Sequence, residues 1–555
     1  MLVDRLIDEL AVVRPIAACL VNRGYKDAAA ARQFLDPRLA ELSLPSGMAD
    51  MDKAAGRVVS AIGDKEKVGV FSDYDVDGVS SAALTASFLG DLGVETETII
   101  ADRFAGYGLG ADAVDRFAAA GCSLVLVFDC GTSDHAAIRH ARERKMDVVV
   151  VDHHRIEGAV PDVLAFVNPQ RVDCGFGDTT LASVGLAFYF AAAIRTRLAQ
   201  NGLISRKDVD PRSLLDLVAL GTVADVMPLA GNNRILVHHG LRQISSASRP
   251  GIRSLIRAAR IRAIRVRANH IAFQLAPRLN AAGRLGSAME AFHLLMAKTP
   301  ADADRLADRL DRLSQDRRAV EDEVVSMARR KIEEADAGGE PIVFVAEDGW
   351  HRGVLGIVAA RIAEESRKPT YVVGFEGDVG TGSARAQGQI DLHESLSHAA
   401  SSLLRFGGHR DAAGFTVEKG RVGEFKRLLV EFARENLRLV EGKGVVCDAR
   451  LQPVEITREL LADLERLGPF GQGNPEPVFD VDGLYVLDKR VVGREHLKLE
   501  LKTPVASVAA FGPRMGAGID SIPALIRVAA VVSPDEWRKE GSPELRLVAS
   551  PVQGT

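Results

Sequence analysis

A chain of 555 residues is too long for one hydrophobic core, so its length predicts roughly two to four domains. Its composition, 47% hydrophobic and 26% charged, is that of an ordinary globular protein. Its net charge of −5 excludes a surface that is basic throughout, so a nucleic-acid partner would have to bind in a local basic groove.

The cysteines and the apolar stretches indicate the compartment. Five scattered cysteines with no CxxC pair argue against a zinc ribbon or a disulfide framework and favour a reducing cytoplasm. The N-terminal sequence MLVDRLIDELAVVRP carries acids among its apolar residues, unlike a signal peptide. The longest apolar stretch, residues 184–194, is shorter than the roughly 18 to 20 residues of a membrane helix and indicates a buried core helix. We therefore expect a cytoplasmic protein with no membrane partner.

The first 300 residues predict a helical segment followed by an α/β domain. Residues 1–50 show short helical patterns interrupted by prolines, which predict a small helical N-terminal segment. Across residues 51–300, apolar runs of strand length alternate with helical patterns, and continuous apolar runs predict a parallel sheet covered on both faces. The runs are 68–71, 98–101, 124–128, 148–151 and 164–167.

The rest of the chain predicts three further parts. Residues 301–338 carry an apolar stripe at helical spacing, which predicts a long helix that bridges two lobes, although an exposed surface helix would show the same pattern. Residues 339–440 have a second α/β pattern. Residues 445–555 contain several short alternating strands with turns of Gly and Pro, which predict a small barrel or sandwich.

Acidic residues and histidines follow the apolar runs. Asp73, Asp75 and Asp77 alternate after the first run, so in an extended segment they would share one side. Asp129 follows the third run, and Asp152-His153-His154 follows the fourth. Ligands of parallel sheets bind at the carboxyl ends of the strands, so one crevice could collect these side chains. Carboxylates that close together repel each other unless a cation compensates their charge.

Each of these residues has a plainer explanation when it is taken alone. A single aspartate after a strand is usually a helix cap, Asp-His-His can form a surface turn, and Asp225, at the end of a helical pattern, indicates little. Together they form an oxygen-rich site with imidazole, which suits Mn²⁺ or Mg²⁺ better than structural zinc. Two such cations can clamp the attacking and leaving oxygens of a phosphoryl displacement.

The order of these residues resembles the DHH phosphoesterase superfamily, and further motifs narrow the resemblance to the RecJ family of single-stranded-DNA exonucleases. It covers essentially residues 1–550. The motifs are GYGL (106–109), DCG (129–131), GTVADVMPL (221–229), APRLNAAGRLG (276–286), WHRGVLGIVAARI (350–362), GGHRDAAGF (407–415) and PFGQGNPEPVF (469–479). The resemblance implies a DHH catalytic domain (51–300), a long linker helix (301–338), a DHH-associated domain (339–440) and a C-terminal OB-like barrel (445–555).

The resemblance also implies a two-metal site. Asp75 would bind the first ion, Asp77, His153 and Asp225 the second, and Asp129 both. Many superfamily members have a histidine where this chain has Phe71, so Asp73 is expected either to complete the first site or to support it. The residues implied to act on the scissile phosphate are His154, Asp152 and Arg278.

Two further sets of residues are implied to hold the substrate. Phosphate or the 5′ end would be held by Ser383, Arg385, Gly408, His409, Arg284 and His351. The glycines before His409 are expected to form an anion-binding turn, and Ala386 replaces the usual final serine of the family's GSxRS motif. The strand itself would be contacted by Arg103, Tyr107, Arg490, Arg494 and Lys498. Any single one of the last three could equally belong to an exposed basic strand edge.

The implied function is a single-stranded-DNA-specific 5′→3′ exonuclease that releases 5′-mononucleotides by two-metal catalysis with Mn²⁺ or Mg²⁺, in DNA repair and recombination. A monomer is favoured, and a helicase or a single-strand-binding protein is an expected partner. One alternative is a phosphodiesterase of the same superfamily that acts on very short RNA or cyclic dinucleotides. The other is a catalytically inactive relative that only binds DNA.

Overall fold

The computed structural model of the chain describes residues 2–104, 106, 108–205, 208–263, 265–334, 339–438, 444–493, 495–535 and 542–554. Tyr107 and Arg494, two of the predicted DNA contacts, lie outside these residues. The chain forms two compact units. The first comprises Met1–Asn280, Ala288–Ala307 and Lys443–Thr555, and the second comprises Ala281–Ser287 and Asp308–Gly442.

Helices and strands are numbered in chain order. The helices are α1 (Leu2–Leu10), α2 (Arg14–Asn22), α3 (Ala28–Leu35), α4 (Met51–Gly63), α5 (Val76–Asp91), α6 (Ala111–Ala119), α7 (His135–Glu143), α8 (Ser183–Gln200), α9 (Leu215–Ala224), α10 (Gly231–Ser246), α11 (Pro250–Ala258), α12 (Ala268–His270), α13 (Ala276–Leu285), α14 (Met289–Met296), α15 (Pro300–Glu334), α16 (Leu355–Ser366), α17 (Leu392–His398), α18 (Val422–Asn436) and α19 (Arg458–Leu467). The strands are β1 (Lys67–Ser72), β2 (Thr96–Ile100), β3 (Cys122–Phe128), β4 (Asp147–Val151), β5 (Ala165–Val167), β6 (Val343–Asp348), β7 (Thr370–Glu376), β8 (Val379–Arg385), β9 (Leu403–His409), β10 (Ala412–Glu418), β11 (Ala449–Leu451), β12 (Phe479–Val492), β13 (His496–Lys502), β14 (Ser507–Gly512), β15 (Leu525–Pro534), β16 (Pro543–Leu547) and β17 (Val552–Gln553).

The part of the first unit that carries the acidic residues is built on a five-stranded parallel sheet in the order β2-β1-β3-β4-β5. Helices α6 and α7 pack on one face and α5 and α8 on the other, so the central strands are buried on both faces. This arrangement confirms the parallel sheet predicted from the continuous apolar runs. Adjacent parallel strands end at the same edge, which is where the acidic residues leave β1, β3 and β4.

The acidic segment after β1 is not extended, so the expectation that its three aspartates alternate along a strand is wrong. β1 ends at Ser72, and the carboxylate of Asp75 caps α5 by accepting hydrogen bonds from the backbone N–H groups of Asp77 and Gly78. A Cβ on Gly78 would lie 2.4 Å from the carbonyl oxygen of Asp73. Glycine is therefore needed here because the helix passes close to the preceding turn.

The second unit contains a mixed sheet in the order β6-β7-β8-β10-β9, in which only β6 and β7 run parallel. The long helix predicted over 301–338 is α15, which contributes Val324, Val325 and Ala328 to the hydrophobic core under α16. The segment 407–409, predicted as an anion-binding turn, belongs to strand β9 at the edge of this sheet.

A closed barrel forms the C-terminal part of the first unit. Strands β12, β13, β14, β16 and β15 follow one another round the barrel, and pairing of β12 with β15 closes it. Its interior shares one hydrophobic core with the N-terminal helices, because Leu6 and Leu20 belong to the same buried cluster as Leu460 and Phe479. The N-terminal segment and the barrel are thus opposite ends of the sequence and one packed body. Among the described residues, no helix has the length and apolar character needed to cross a membrane.

Candidate metal centre and substrate-binding residues

Seven predicted residues meet at the carboxyl edge of the parallel sheet. Three overlapping groups each bring their ligand atoms within 4.8 Å of one another. The groups are Asp77, His153 and Asp225; Asp73, Asp75 and Asp129; and Asp129, His153 and His154. Asp129 and His153 each occur in two groups, so the group of Asp129, His153 and His154 links the other two. The first group is the predicted second-metal set, and the second places Asp73 beside the predicted first-metal ligand.

Asp77 is held by the helix that faces it. Its two carboxylate oxygens accept hydrogen bonds from the backbone N–H groups of Ser183, at 2.7 Å, and Val184, at 2.9 Å, in the first turn of α8. A helix N-terminus stabilises negative charge, which partly offsets the cost of burying Asp77. A Cβ on Gly221 of α9 would lie 2.8 Å from an Asp77 oxygen, so this glycine lets α9 approach the carboxylate.

Two of the acidic residues lie at or beside a left-handed backbone position. Asp129 itself has φ 61° directly after β3. Asp225 ends α9, and the next residue, Val226, has φ 57°. Left-handed conformations cost energy for residues other than glycine and persist where the surrounding structure enforces them. Both positions therefore indicate that tertiary contacts hold the backbone beside these carboxylates.

Burial and mutual repulsion raise the pKa of these acids. Burial, followed by repulsion from Asp75, raises the pKa of Asp73 to about 8 and that of Asp225 to about 7. Burial also raises the pKa values of Asp77 and Asp129 well above the usual range, followed by repulsion from Asp225 for Asp77 and from Asp75 for Asp129. Oxygen Oδ1 of Asp73 is buried and has no hydrogen-bond partner among the described residues.

His153 completes the donor set as a neutral imidazole. Burial, followed by the charge of His154, lowers its pKa to about 4. Its Nε2 lies 3.2 Å from an oxygen of Asp129 and 3.7 Å from one of Asp225. Repelling carboxylates, a neutral imidazole nitrogen and the unpartnered oxygen of Asp73 together fit hard divalent cations such as Mn²⁺ or Mg²⁺.

Asp152 and His154 form a pair beside these groups. His154 Nδ1 lies 2.8 Å from Asp152 Oδ1, and Thr132 Oγ1 donates to the other carboxylate oxygen. Burial alone would lower the pKa of His154, but the hydrogen bond and the charge of Asp152 raise it to about 9. Burial would also raise the pKa of Asp152, yet the same hydrogen bond holds it below its usual range. His154 is therefore a cation at neutral pH. Sequence reasoning missed Thr132, because only the fold brings it to Asp152.

Two predicted basic residues of the first unit have protein partners. Arg278 lies on α13, which begins at Ala276 and contains most of the APRLNAAGRLG segment. Its Nη1 donates to the carbonyl oxygen of Gln274 at 2.7 Å. Arg103 is half-buried, with its guanidinium 4.9 Å from the centre of the Tyr74 ring, in the turn that carries the acidic residues.

The second unit gathers four of the predicted phosphate-binding residues around α16. Arg385 Nη1 donates to Ser383 Oγ at 3.1 Å, and a Cβ on Gly356 in the first turn of α16 would meet both side chains. Arg284 Nη1 donates to the carbonyl oxygen of Gly353, whose amide donates to His351 Nδ1. Backbone N–H groups at a helix N-terminus and nearby arginines suit an anion.

Gly408 and His409, which were predicted to form an anion-binding turn, lie on strand β9. Strand β10 pairs with both β8 and β9, so Ala412 lies between Arg385 on one side and His409 on the other. His409 and Gly408 are exposed at the sheet edge. The fold thus brings His409 to within two strands of Arg385, although they are 24 positions apart in sequence.

A row of outward-facing residues crosses the barrel. Arg490 on β12 is opposite Lys498 on β13, which is opposite Phe511 on β14, and Phe511 is opposite Arg546 on β16. Lys498 is ion-paired with Glu544, and Arg546 with Glu476. Phe511 and Arg546 were not predicted, because only strand register places them beside the predicted residues.

Family comparisons match three parts of the chain to known domains. The sequence models of the DHH family N-terminal domain, the DHHA1 domain and the RecJ OB domain match residues 67–222, 339–435 and 447–549. The chain is 33% identical to the single-stranded-DNA-specific exonuclease RecJ of Bacillus subtilis strain 168, over 98% of this chain and 69% of that protein. It is 35% identical to the Escherichia coli K12 protein of the same name, over 90% and 88% of the two chains.

Solved structures agree with these matches. The crystal structure of RecJ from Thermus thermophilus in complex with Mn²⁺ superposes with a TM-score of 0.83, at 30% identity, over all of this chain and 78% of that one. A structure of exonuclease RecJ bound to manganese superposes with a TM-score of 0.61, at 32% identity, over 70% of this chain and 95% of the other. The identities, the coverage and the three domains in order show that the chain belongs to the RecJ family of single-stranded-DNA-specific exonucleases.

Proposed function

We propose that this chain is a metal-dependent exonuclease that removes 5′-mononucleotides from the 5′ end of single-stranded DNA. The observation that carries the proposal is the set of overlapping acidic groups that share Asp129 and His153 at the carboxyl edge of the parallel sheet. Membership of the RecJ family supports the substrate class. A role in DNA repair and recombination follows from the same resemblance.

Two divalent cations are the proposed cofactors, and relatives solved with Mn²⁺ and with Mg²⁺ support either metal. Asp77, His153 and Asp225 would hold one ion, and Asp75 and Asp73 the other, with Asp129 between them. When bound, the cations supply Lewis-acid chemistry at the scissile phosphodiester. The fold contributes by holding the carboxylates together before the substrate arrives, through the α8 amides at Asp77 and the cap at Asp75.

His154 is the proposed proton donor and phosphate contact. Its Nδ1 is held by Asp152, and the proposed donor to the phosphate is the N–H group at Nε2 of the protonated ring. A cationic imidazole can stabilise the charge that develops on the phosphate oxygens and protonate the leaving 3′ oxygen. Arg278 is proposed to add positive charge at the same phosphate.

The residues around α16 are the proposed site for the 5′ terminal phosphate. Ser383 and Arg385 contact each other and face Gly356, so a phosphate there would meet a guanidinium, a hydroxyl and helix N–H groups. Arg284, His351, Gly408 and His409 are proposed to support it. This site would set the polarity, because a 5′ phosphate carries more negative charge than an internal phosphodiester.

The barrel is proposed to guide the strand through Arg490, Lys498, Phe511 and Arg546. A base can stack on Phe511 while the basic side chains follow the backbone. Arg103 would contact the strand near the metal centre. Since Lys498 and Arg546 are paired with glutamates, DNA would have to displace these pairs, which predicts modest affinity at the barrel.

Polarity and substrate length test the proposal. A single strand labelled at either end in turn should release label first from its 5′ end in the presence of Mn²⁺. Ser383→Ala should raise KM for a 5′-phosphorylated strand more than for a 5′-hydroxyl strand. Release from the 3′ end would overturn the role given to Ser383 and Arg385, and faster cleavage of dinucleotides than of long strands would favour the short-substrate phosphodiesterase instead.

Partners, assembly and location are proposed from the family and from the cysteines. A helicase or a single-strand-binding protein would supply the strand, and a monomer is the simplest assembly. All five cysteines are free thiols, which supports a reducing cytoplasm.

A further inference from the structure

The turn that follows Asp225 is strained. The N–H of Val226 bonds to the carbonyl of Val223 and that of Met227 to the carbonyl of Thr222, the two bonds of a Schellman motif at the end of α9. The left-handed position of this motif is usually glycine, but here it is Val226, with φ 57° and 66% of its surface exposed. A β-branched residue in this conformation is an outlier, and its exposed side chain offers little packing that would enforce it.

The contacts that hold the turn come from a loop almost 250 residues later in the chain. The N–H of Leu229 donates to the carbonyl oxygen of Gln472 at 2.7 Å. Gly473 has φ 73°, and a Cβ on it would lie 3.1 Å from Cβ of Pro228. A Cβ on Gly471 would lie 2.9 Å from the end of the buried Leu229 side chain. The loop therefore lies directly on residues 228–229, and a side chain at either glycine would press against them.

The loop is held by hydrogen bonds of its own and by one from Arg23. Gly471 and Asn474 exchange backbone hydrogen bonds of 2.9 and 3.1 Å, and Asn474 Nδ2 donates to the carbonyls of Leu467 and Pro469. Asn474 Oδ1 accepts a hydrogen bond from Arg23 of α2 at 2.7 Å. The opposite side of the turn is held by Asn233 of α10, which donates to the carbonyl of Pro228 at 3.1 Å.

We propose that the loop of residues 469–475 is a positioning element for the metal centre, which fixes Asp225 by clamping the strained turn at residues 226–229. The inference rests on the proposed function, because it takes Asp225 as a metal ligand. Gly473 and Gly471, which precede the first strand of the closed barrel, are then positioning residues. Because the loop affects only Asp225, it should influence the ion held by Asp77, His153 and Asp225 more than the ion held by Asp73 and Asp75.

The test compares two alanine variants of the full-length protein. Gly473→Ala places a methyl group against Pro228, whereas Gly483→Ala has a similar left-handed backbone, φ 78°, with no atom within 4 Å of the new Cβ. The backbone cost is matched, so both should lose similar thermal stability. Titration of metal-free protein with Mn²⁺, followed by electron paramagnetic resonance, should show one of two sites weakened about 10-fold in Gly473→Ala only. Its activity should recover at high Mn²⁺.

Each outcome decides the inference. Equal Mn²⁺ affinity of both sites in Gly473→Ala, Gly483→Ala and the wild type would overturn it and leave the proposed function standing. A wild type that binds no Mn²⁺ would overturn the metal centre itself. If Gly473→Ala does not fold, Gly471→Ala takes its place, because the Leu229 methyl group that it meets can shift. Weakening of both sites to the same extent would show general damage and would also overturn the inference.

Discussion

Asp73 should destabilise the metal-free protein and stabilise the metal-bound one. Its side chain is 4% exposed, and in the part of the chain that the structure describes its Oδ1 has no hydrogen-bond partner. Burial and repulsion from Asp75 raise its pKa from 3.8 to about 8. Without metal, the folded protein therefore keeps this carboxyl protonated at neutral pH, whereas the unfolded chain releases the proton.

The sign and the size of the effect follow from this difference. A carboxyl with a raised pKa in the folded state costs nothing below pH 3.8, and its cost grows as the pH rises until the folded pKa of about 8 is reached. At about 1.4 kcal/mol per pH unit, the cost at pH 7 is on the order of 4 kcal/mol. Asp73→Asn keeps the shape of the side chain and removes this cost.

Thermal unfolding in a chelator at several pH values measures the effect. At pH 7, Asp73→Asn should raise the melting temperature of the first unit by on the order of 5 °C, and the difference should close as the pH falls towards 4. With Mn²⁺ the order should reverse, because the wild type gains a charged ligand that the amide does not replace. The metal-dependent rise in melting temperature should therefore be smaller in Asp73→Asn.

A second buried carboxyl is the control for this prediction. Asp535 in the barrel is 3% exposed and belongs to none of the three acidic groups, so Asp535→Asn should leave the response to Mn²⁺ unchanged. If Asp73→Asn is no more stable than the wild type at pH 7 without metal, then burial and repulsion do not raise the pKa of Asp73 above neutral in the folded protein. If its response to Mn²⁺ is also unchanged, Asp73 is no ligand.

Three further substitutions should change nuclease activity, its pH dependence and the stability of the fold. Asp129→Ala should lower Mn²⁺-dependent nuclease activity at least about 100-fold, measured with a labelled single strand, because Asp129 belongs to two of the three groups. Activity should fall above about pH 9 as His154 loses its proton, and Asp152→Asn should move that fall to lower pH in a pH–rate profile, because the pKa of His154 drops. Arg234→Ala should lower the unfolding free energy by about 3 kcal/mol or more in denaturant titrations, since buried Arg234 donates to the carbonyls of Phe34, Leu467 and Gly468.

Local pattern was sufficient for the sheet and for most of the acidic site. Continuous apolar runs predicted five parallel strands, and the rule that such strands end at one edge brought Asp129 and Asp152 towards the segment after β1. Asp225 came only from the motif resemblance, because it ends a helix rather than a strand.

Local pattern failed where backbone conformation depended on neighbours. The alternation of Asp73, Asp75 and Asp77 suggested a strand, but the cap at Asp75 starts a helix there. The glycines before His409 suggested a turn, but pairing with β10 keeps them in a strand. In the first case a local side-chain cap decided between two conformations that the residues themselves allow, and in the second case pairing with another strand decided.

The sequence by itself therefore determined the family, the parallel sheet and the kinds of ligand, since each depends on periodicity or on motifs within a short stretch. Only the tertiary structure placed the N-terminal helices in one core with the barrel, set Phe511 beside Lys498, and laid the loop at Gly473 on the turn after Asp225. These contacts join segments far apart along the chain, and no local pattern encodes which distant surface a residue will meet. The aspartates are specified locally, but the contacts that hold Asp225 in place come from the other end of the chain.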